Sequence, residues 1–232
     1  MLFRSTVLHW NGRTSVAENA ASSLPVETVS PTERQREVLD AALALLVGAG
    51  ETLTMGAVAQ RASCSKETLY KWFGGRDGLL TATVQWQAAK VRAVPLPREG
   101  LDRDTLAANL RSFARDWLTV LTGETSVALN RLAVGQAGSE KHDLGAIVLE
   151  NGPFAMRRRL SVALDAGRAA GLLAFDAVDD AYESFFGLVV RDIQIRLLLG
   201  ERLTLTLGDI DADAARATDQ FFVLYGTAVS HR

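Results

Sequence analysis

From Ser30 onward the apolar residues recur at intervals of three and four, the period of helices that each bury one face. "SPTE" signals the first start, with Ser30 as N-cap, Pro31 at the first helical position and Glu33 reaching back. Val38, Leu39, Ala42, Leu43 and Leu46 then make one stripe, and "GAG" at Gly48 to Gly50 stops it. Thr54 caps a short helix, "MGAVAQRA", and Ser65 caps another, "KETLYKWF". "GGRDG" breaks the chain again before a longer helix, expected from about Arg76 to Val94 and ended by Pro95 and Pro97. Further helices are predicted near 101–121, 124–138, 142–171 with a break at Asn151 to Pro153, 176–199 and 211–228. Strand-like alternation is confined to Arg202 to Asp209, read as an extended connection. The fold class is therefore all-α, with nine or so helices in two unequal parts.

Composition narrows what such a chain does. Its 232 residues are 48% hydrophobic, enough to bury a substantial core. A net charge of −2 gives no global field, so any polyanion site is local. Cys64 is the single cysteine, which rules out an intramolecular disulfide and fits a reducing compartment. With His9, His142 and His231 scattered, no metal-ligand spacing exists and no cofactor is expected. No run of about 18 apolar residues occurs, so no membrane partner is expected. Residues 1–29 are rich in Ser, Asn, Gly and Ala without a signal-peptide core, and read as a flexible tail of a cytoplasmic protein.

Two short helices joined by the turn at Ala62 to Cys64 have the form of a helix-turn-helix, whose second helix enters the DNA major groove. Lys66, Glu67 and Thr68 then occupy its first turn, within reach of base edges or phosphates, with Tyr70, Lys71 and Trp72 one turn on. Leu69 and Phe73, four apart, face the other way and hold the helix down. Between Arg61 and Arg76 four cations stand against the one acid Glu67, whereas from Pro31 to Leu80 six bases balance six acids. The cationic footprint is small, and a dimer would double it.

"TMGAVAQRASCSKETLYKWFGGRDGLL" resembles the DNA-binding region of the TetR (tetracycline repressor) family of bacterial regulators, over Pro31 to Leu80. The resemblance implies that Thr54 and Ser65 sit at helix starts near the DNA backbone. It likewise implies that Lys66, Glu67 and Thr68 face bases or adjacent phosphates, while Tyr70, Lys71, Trp72 and Arg76 grip phosphates. Gly56 stands where an acid or polar residue is common, and Ser63-Cys64 replaces a more usual Gly-Val. The chain from Leu101 to its end, chiefly "FFGLVVRDIQIRLLLG", resembles the AefR-like ligand-binding halves of the same family. The implied organisation is a tail at 1–29, a helix-turn-helix unit at 30–80 and a ligand-binding and dimerisation domain at 81–232.

In that larger part Trp86, Phe113, Trp117, Asn130, Phe154 and Phe186 read either as walls of an apolar pocket, with Asn130 as its polar contact, or as ordinary core. Ala181 to Leu199 is apolar on two faces, and Ala214, Ala217, Thr218, Phe221 and Tyr225 make a small-residue stripe on the last helix. Both are expected to join a second subunit. Arg157 to Arg159 read as a solvated face and Cys64 as a packing residue, while Asp179, Asp180, Glu183 and Asp192 have no nucleophile or metal to work with. The expectation is a homodimeric, ligand-responsive transcriptional regulator, a repressor on double-stranded, pseudo-palindromic operator DNA released by a small apolar effector. The rival is an all-α enzyme or small-molecule carrier that keeps the helix-turn-helix as scaffold.

Overall fold

The computed structural model describes residues 30–49, 53–97, 99–137 and 144–228, and the expected tail at 1–29 lies outside them. Eleven α-helices occur among these residues: α1 (Glu33–Ala49), α2 (Met55–Arg61), α3 (Lys66–Phe73), α4 (Arg76–Ala88), α5 (Arg103–Thr122), α6 (Glu124–Gly135), α7 (Leu144–Asn151), α8 (Pro153–Ala169), α9 (Val178–Val190), α10 (Ile193–Leu198) and α11 (Leu207–Tyr225). No strand occurs among them; the one β-bridge, Leu173 to Gly226, ties the α8–α9 connection to the end of α11.

Two apolar clusters hold the helices together. Val38, Leu39 and Ala42 of α1, Val58 of α2, Leu69 of α3 and Leu79, Leu80 and Val84 of α4 form one, and it also takes in Leu129 and Ala133 of α6 and Leu144 and Val148 of α7. The other gathers α5, α8, α9, α10 and α11 around Leu110, Leu160, Phe185, Ala214 and Phe221. α4 contributes to both, since Ala88 at its end packs with the second cluster. The first core therefore runs past the expected boundary at residue 80, because α6 and α7 cover the apolar back of α1 and α4.

Several helix ends differ from the sequence reading. α1 is capped by Thr32 rather than Ser30. Its hydroxyl accepts from Gln35 N at 3.3 Å while its own N–H donates to the Gln35 side chain at 2.8 Å, a reciprocal pair two residues beyond the expected one. α4 ends at Ala88, not Val94, because the chain turns there to bury Val91, and the Arg159 guanidinium of α8 donates to the carbonyls of Ala88 at 2.8 Å and Val91 at 3.0 Å. The expected helix at 176–199 is cut at Arg191, whose φ of 47° lies in the left-handed region. The break lets Ile193 and Leu197 join the same core as Phe185, and Ile195 is left 54% exposed. α11 starts earlier than expected because Thr206 and Asp209 form a capping box inside the supposed connection.

The small-residue stripe of α11 is also reassigned. Ala214, Ala217, Thr218 and Phe221 are buried within the chain, Phe221 edge-on to Phe185 at 5.2 Å, so they close the core instead of facing a partner.

Candidate nucleic-acid interface

α2 and α3 are built for a sharp corner. The Thr54 hydroxyl accepts from Ala57 N at 3.1 Å, and α2 runs only seven residues before Ala62 ends it. Ser63 then takes a left-handed φ of 50°, Cys64 N donates back to the Ala59 carbonyl at 2.9 Å, and Ser65 accepts from Thr68 N at 3.1 Å to open α3. Gly74, with φ 73°, closes α3. These are the start and stop devices of two helices that cannot merge into one.

The faces of α3 separate by chemistry. Leu69 is fully buried, and Trp72 and Phe73 pack edge to face at 6.2 Å, both half-buried against the first core. Lys66, Glu67, Tyr70 and Lys71 are exposed, with Thr68 half-buried beside Ser65. The Lys66 stem lies over Gly56, where a β-carbon would stand 3.3 Å from its Cε, so the unusual glycine of α2 makes room for a cation of α3. The Glu67 carboxyl is held below the usual carboxylate range by its own backbone N–H and by the Ser65 hydroxyl, so it is ionised at neutral pH. An acceptor-only group therefore stands at the start of α3, of a kind that suits a cytosine amino group and opposes a phosphate.

Two sequence-predicted contacts change character. Arg76 is turned inward: its Nε donates to the Leu53 carbonyl at 2.8 Å and its Nη1 lies 3.5 Å from the Asp77 carboxylate, so it ties α4 to the segment before α2 instead of standing free for a phosphate. Trp72 is used largely as packing. A third residue was missed altogether. Arg34 of α1 donates from Nη2 to the carbonyls of Ala62 at 2.6 Å and Ser63 at 3.0 Å, across the corner itself. Nothing in the sequence spacing connects positions 34 and 63.

The profile described as "Bacterial regulatory proteins, tetR family" matches residues 38–83, and that of the "AefR-like transcriptional repressor, C-terminal domain" matches residues 108–227. A TetR transcriptional regulator from Agrobacterium tumefaciens is 46% identical, with a TM-score of 0.72 over 85% of this chain and 96% of that one. The chain belongs to the TetR family of transcriptional regulators. The flavonoid-responsive regulator FrrA is 28% identical, with a TM-score of 0.61 over 84% of this chain and 98% of its own. A TetR-family regulator structure from Mesorhizobium loti, 23% identical with a TM-score of 0.68 over 85% and 100%, shares the fold. No curated protein matches the chain.

In this TetR-family chain the six residues expected around an effector do not converge. Phe113, Trp117 and Phe186 do: Trp117 lies 5.6 Å from Phe113 and 5.4 Å from Phe186, ring centre to ring centre. Tyr182, which sequence reading passed over, completes the group at 6.3 Å from both Trp117 and Phe186. Its hydroxyl donates to the Pro153 carbonyl at 3.2 Å, and burial pushes its pKa up to about 12, against the pull of the Arg157 guanidinium 5.1 Å from its ring centre. Trp86 points elsewhere, its Nε1–H donating to Asp40 of α1 at 2.8 Å at the exposed edge of the first core. Asn130 spends its amide on the Ser126 carbonyl of its own helix at 2.8 Å, and Phe154 is 47% exposed. In the arginine run Arg157 and Arg158 lie on a solvated face, as expected, while Arg159 turns inward. Arg157 pairs with Asp179 and Glu183, Arg158 with Glu150, and Arg159 caps α4. Among the described residues no group of three or more His, Cys, Asp or Glu could hold a metal ion, and no helix is long and apolar enough to cross a membrane.

Proposed function

We propose that this TetR-family regulator is a ligand-responsive repressor that binds, as a homodimer, a pseudo-palindromic operator in the cytoplasm through α3. The observation that carries this reading is the exposed edge of Lys66, Tyr70 and Lys71 on a short helix anchored by Leu69 and capped at both ends. Lys71 and Tyr70 serve phosphates, and Lys66, Glu67 and Thr68 serve the first base pairs met by the helix start. Residues 30–80 form the reading unit and 81–232 the effector and dimerisation part, joined through the shared core under α4.

The effector is small and aromatic or apolar, taken against Phe113, Trp117, Tyr182 and Phe186, with the Tyr182 hydroxyl, whose proton is given to the Pro153 carbonyl, as a neutral acceptor. The description of FrrA as flavonoid-responsive supports an aromatic class. A pull on α8 would reach α4 through Arg159 and, from α7, through the 3.0 Å hydrogen bond of Gln85 to Asn151. Dimerisation uses the outward faces of α9 and α11, where Gly187 lies opposite Phe185 with open space around it and Val223, 84% exposed, lies opposite Ala214.

The test is direct. Duplexes enriched by the protein from a random-sequence pool should converge on an inverted repeat with half-site centres about 34–36 Å apart or a multiple. Aromatic compounds that quench tryptophan fluorescence should release that duplex and bind more weakly in its presence by the same factor. Enrichment of no sequence, or quenching indifferent to DNA, would contradict the repressor and the switch respectively.

A further inference from the structure

We propose that Arg34 is a positioning residue for DNA recognition. Reaching from the start of α1, its guanidinium fixes the corner between α2 and α3 and so sets the angle at which α3 is presented. The inference rests on the reading of α3 as the groove-facing helix.

The geometry is that of a clamp. Ala62 is the C-cap of α2, and the last carbonyls of a helix lack intrahelical partners and carry the negative end of its dipole. Arg34 Nη2 satisfies the carbonyls of Ala62 and Ser63 together, at 2.6 and 3.0 Å, while Nη1 is paired with Glu37 one turn further along α1. The planar guanidinium lets Nη2 serve both carbonyls while Nη1 stays on Glu37, a division that the single nitrogen of a lysine cannot make. The clamped residue is also the strained one: Ser63 holds a φ of 50°, a region that residues with a β-carbon seldom occupy. Two residues later Ser65 begins α3, so a corner that relaxed at Ser63 would swing Lys66, Tyr70 and Lys71 as a body.

A phosphate ligand and a positioning clamp have different signatures. Removing a cation that neutralises one phosphate lowers the slope of log affinity against log salt by about one, whereas loosening the corner lowers affinity with the slope unchanged. The probe is the duplex enriched by the wild-type full chain from a random-sequence pool. Arg34→Ala should bind it about tenfold more weakly, the scale of one hydrogen bond to a charged group, with the wild-type slope and poorer discrimination against a scrambled duplex. Adding Ser63→Gly, which removes the strain without touching the DNA-facing edge, should restore most of the loss. Should Arg34→Ala fail to fold, Arg34→Lys keeps the charge but has one nitrogen to divide between the carbonyls and Glu37, and should show an intermediate loss at unchanged slope. A slope reduced by about one with no rescue by Ser63→Gly makes Arg34 a phosphate ligand and overturns the proposal, as does wild-type affinity in either Arg34 variant. If the wild type enriches no duplex, the DNA-binding reading itself falls and carries this inference with it.

Discussion

Gly78 offers the sharpest test of how α3 and α4 are locked together. A β-carbon added there would lie 1.9 Å from the Phe73 carbonyl oxygen and 3.1 Å from its carbon, both backbone atoms of the last residue of α3. Ordinary contact begins near 3.4 Å, so Gly78→Ala forces the two helices apart by about 1.5 Å at this point. That movement acts on Leu79 and Leu80, which are buried against Leu69 in the first core. Overpacking a tight site costs about 1–3 kcal/mol and more when backbone must yield, and alanine's better helix propensity returns at most about 1 kcal/mol. A net loss of roughly 2 kcal/mol in a chain of this size lowers the melting temperature by roughly 4–8 °C. Thermal unfolding at fixed protein concentration measures it, with Gly145→Ala as control, because nothing lies within 4 Å of a β-carbon there. DNA affinity should fall as well, since the displaced carbonyl belongs to α3. A Gly78→Ala protein that melts with the control and binds the enriched duplex normally would refute the packing argument.

Lys71→Ala should lower the salt slope of DNA binding by about one in a titration from low to moderate ionic strength, whereas Arg76→Ala should leave the slope unchanged and reduce stability by about 1–2 kcal/mol, since its Nε serves the Leu53 carbonyl. Val223→Arg should give soluble, folded monomers by light scattering, while Phe221→Ala, inside the core, should cost about 3–5 kcal/mol in denaturant unfolding. Tyr182 carries a pKa raised from 10.0 to about 12, so its contribution is complete below pH 10 and is lost as pH rises towards 12. Tyr182→Phe should therefore flatten the fall of melting temperature across that window, and an unchanged fall would count against burial of the phenol.

The fold was legible wherever local chemistry decides the backbone. Thr54 and Ser65 cap the helices that their position announces, and the Asn151 to Pro153 break falls where proline forces it. The misread ends have the opposite character. α4 stops at Ala88 because an arginine from α8 holds its last carbonyls, and the continuous apolar run from Ala181 is cut at Arg191 because one core recruits both pieces. Periodicity carries no trace of either. The capping box at Thr206 and Asp209 was different, a local signal hidden by the alternating threonines and leucines before it.

The candidate site divides along the same line. Which residues of α3 face outward follows from Leu69 and Phe73 four positions apart, and helix geometry then leaves Lys66, Tyr70 and Lys71 on the open edge. What an inward-turned or bridging cation does depends on a partner distant in sequence, so Arg76 on the Leu53 carbonyl and Arg34 on the Ala62 and Ser63 carbonyls could not be read from spacing. The residues expected around an effector are divided between the two cores for a related reason. Aromatic side chains fill whichever interior their helix faces, and α4 turns Trp86 towards Asp40 of α1 while α9 turns Phe186 towards Trp117. Composition alone treats those two aromatics alike. They are told apart only by knowing that α6 and α7 close over α1 and α4, which places Trp86 at the edge of the first core and leaves Phe113, Trp117, Tyr182 and Phe186 in the other.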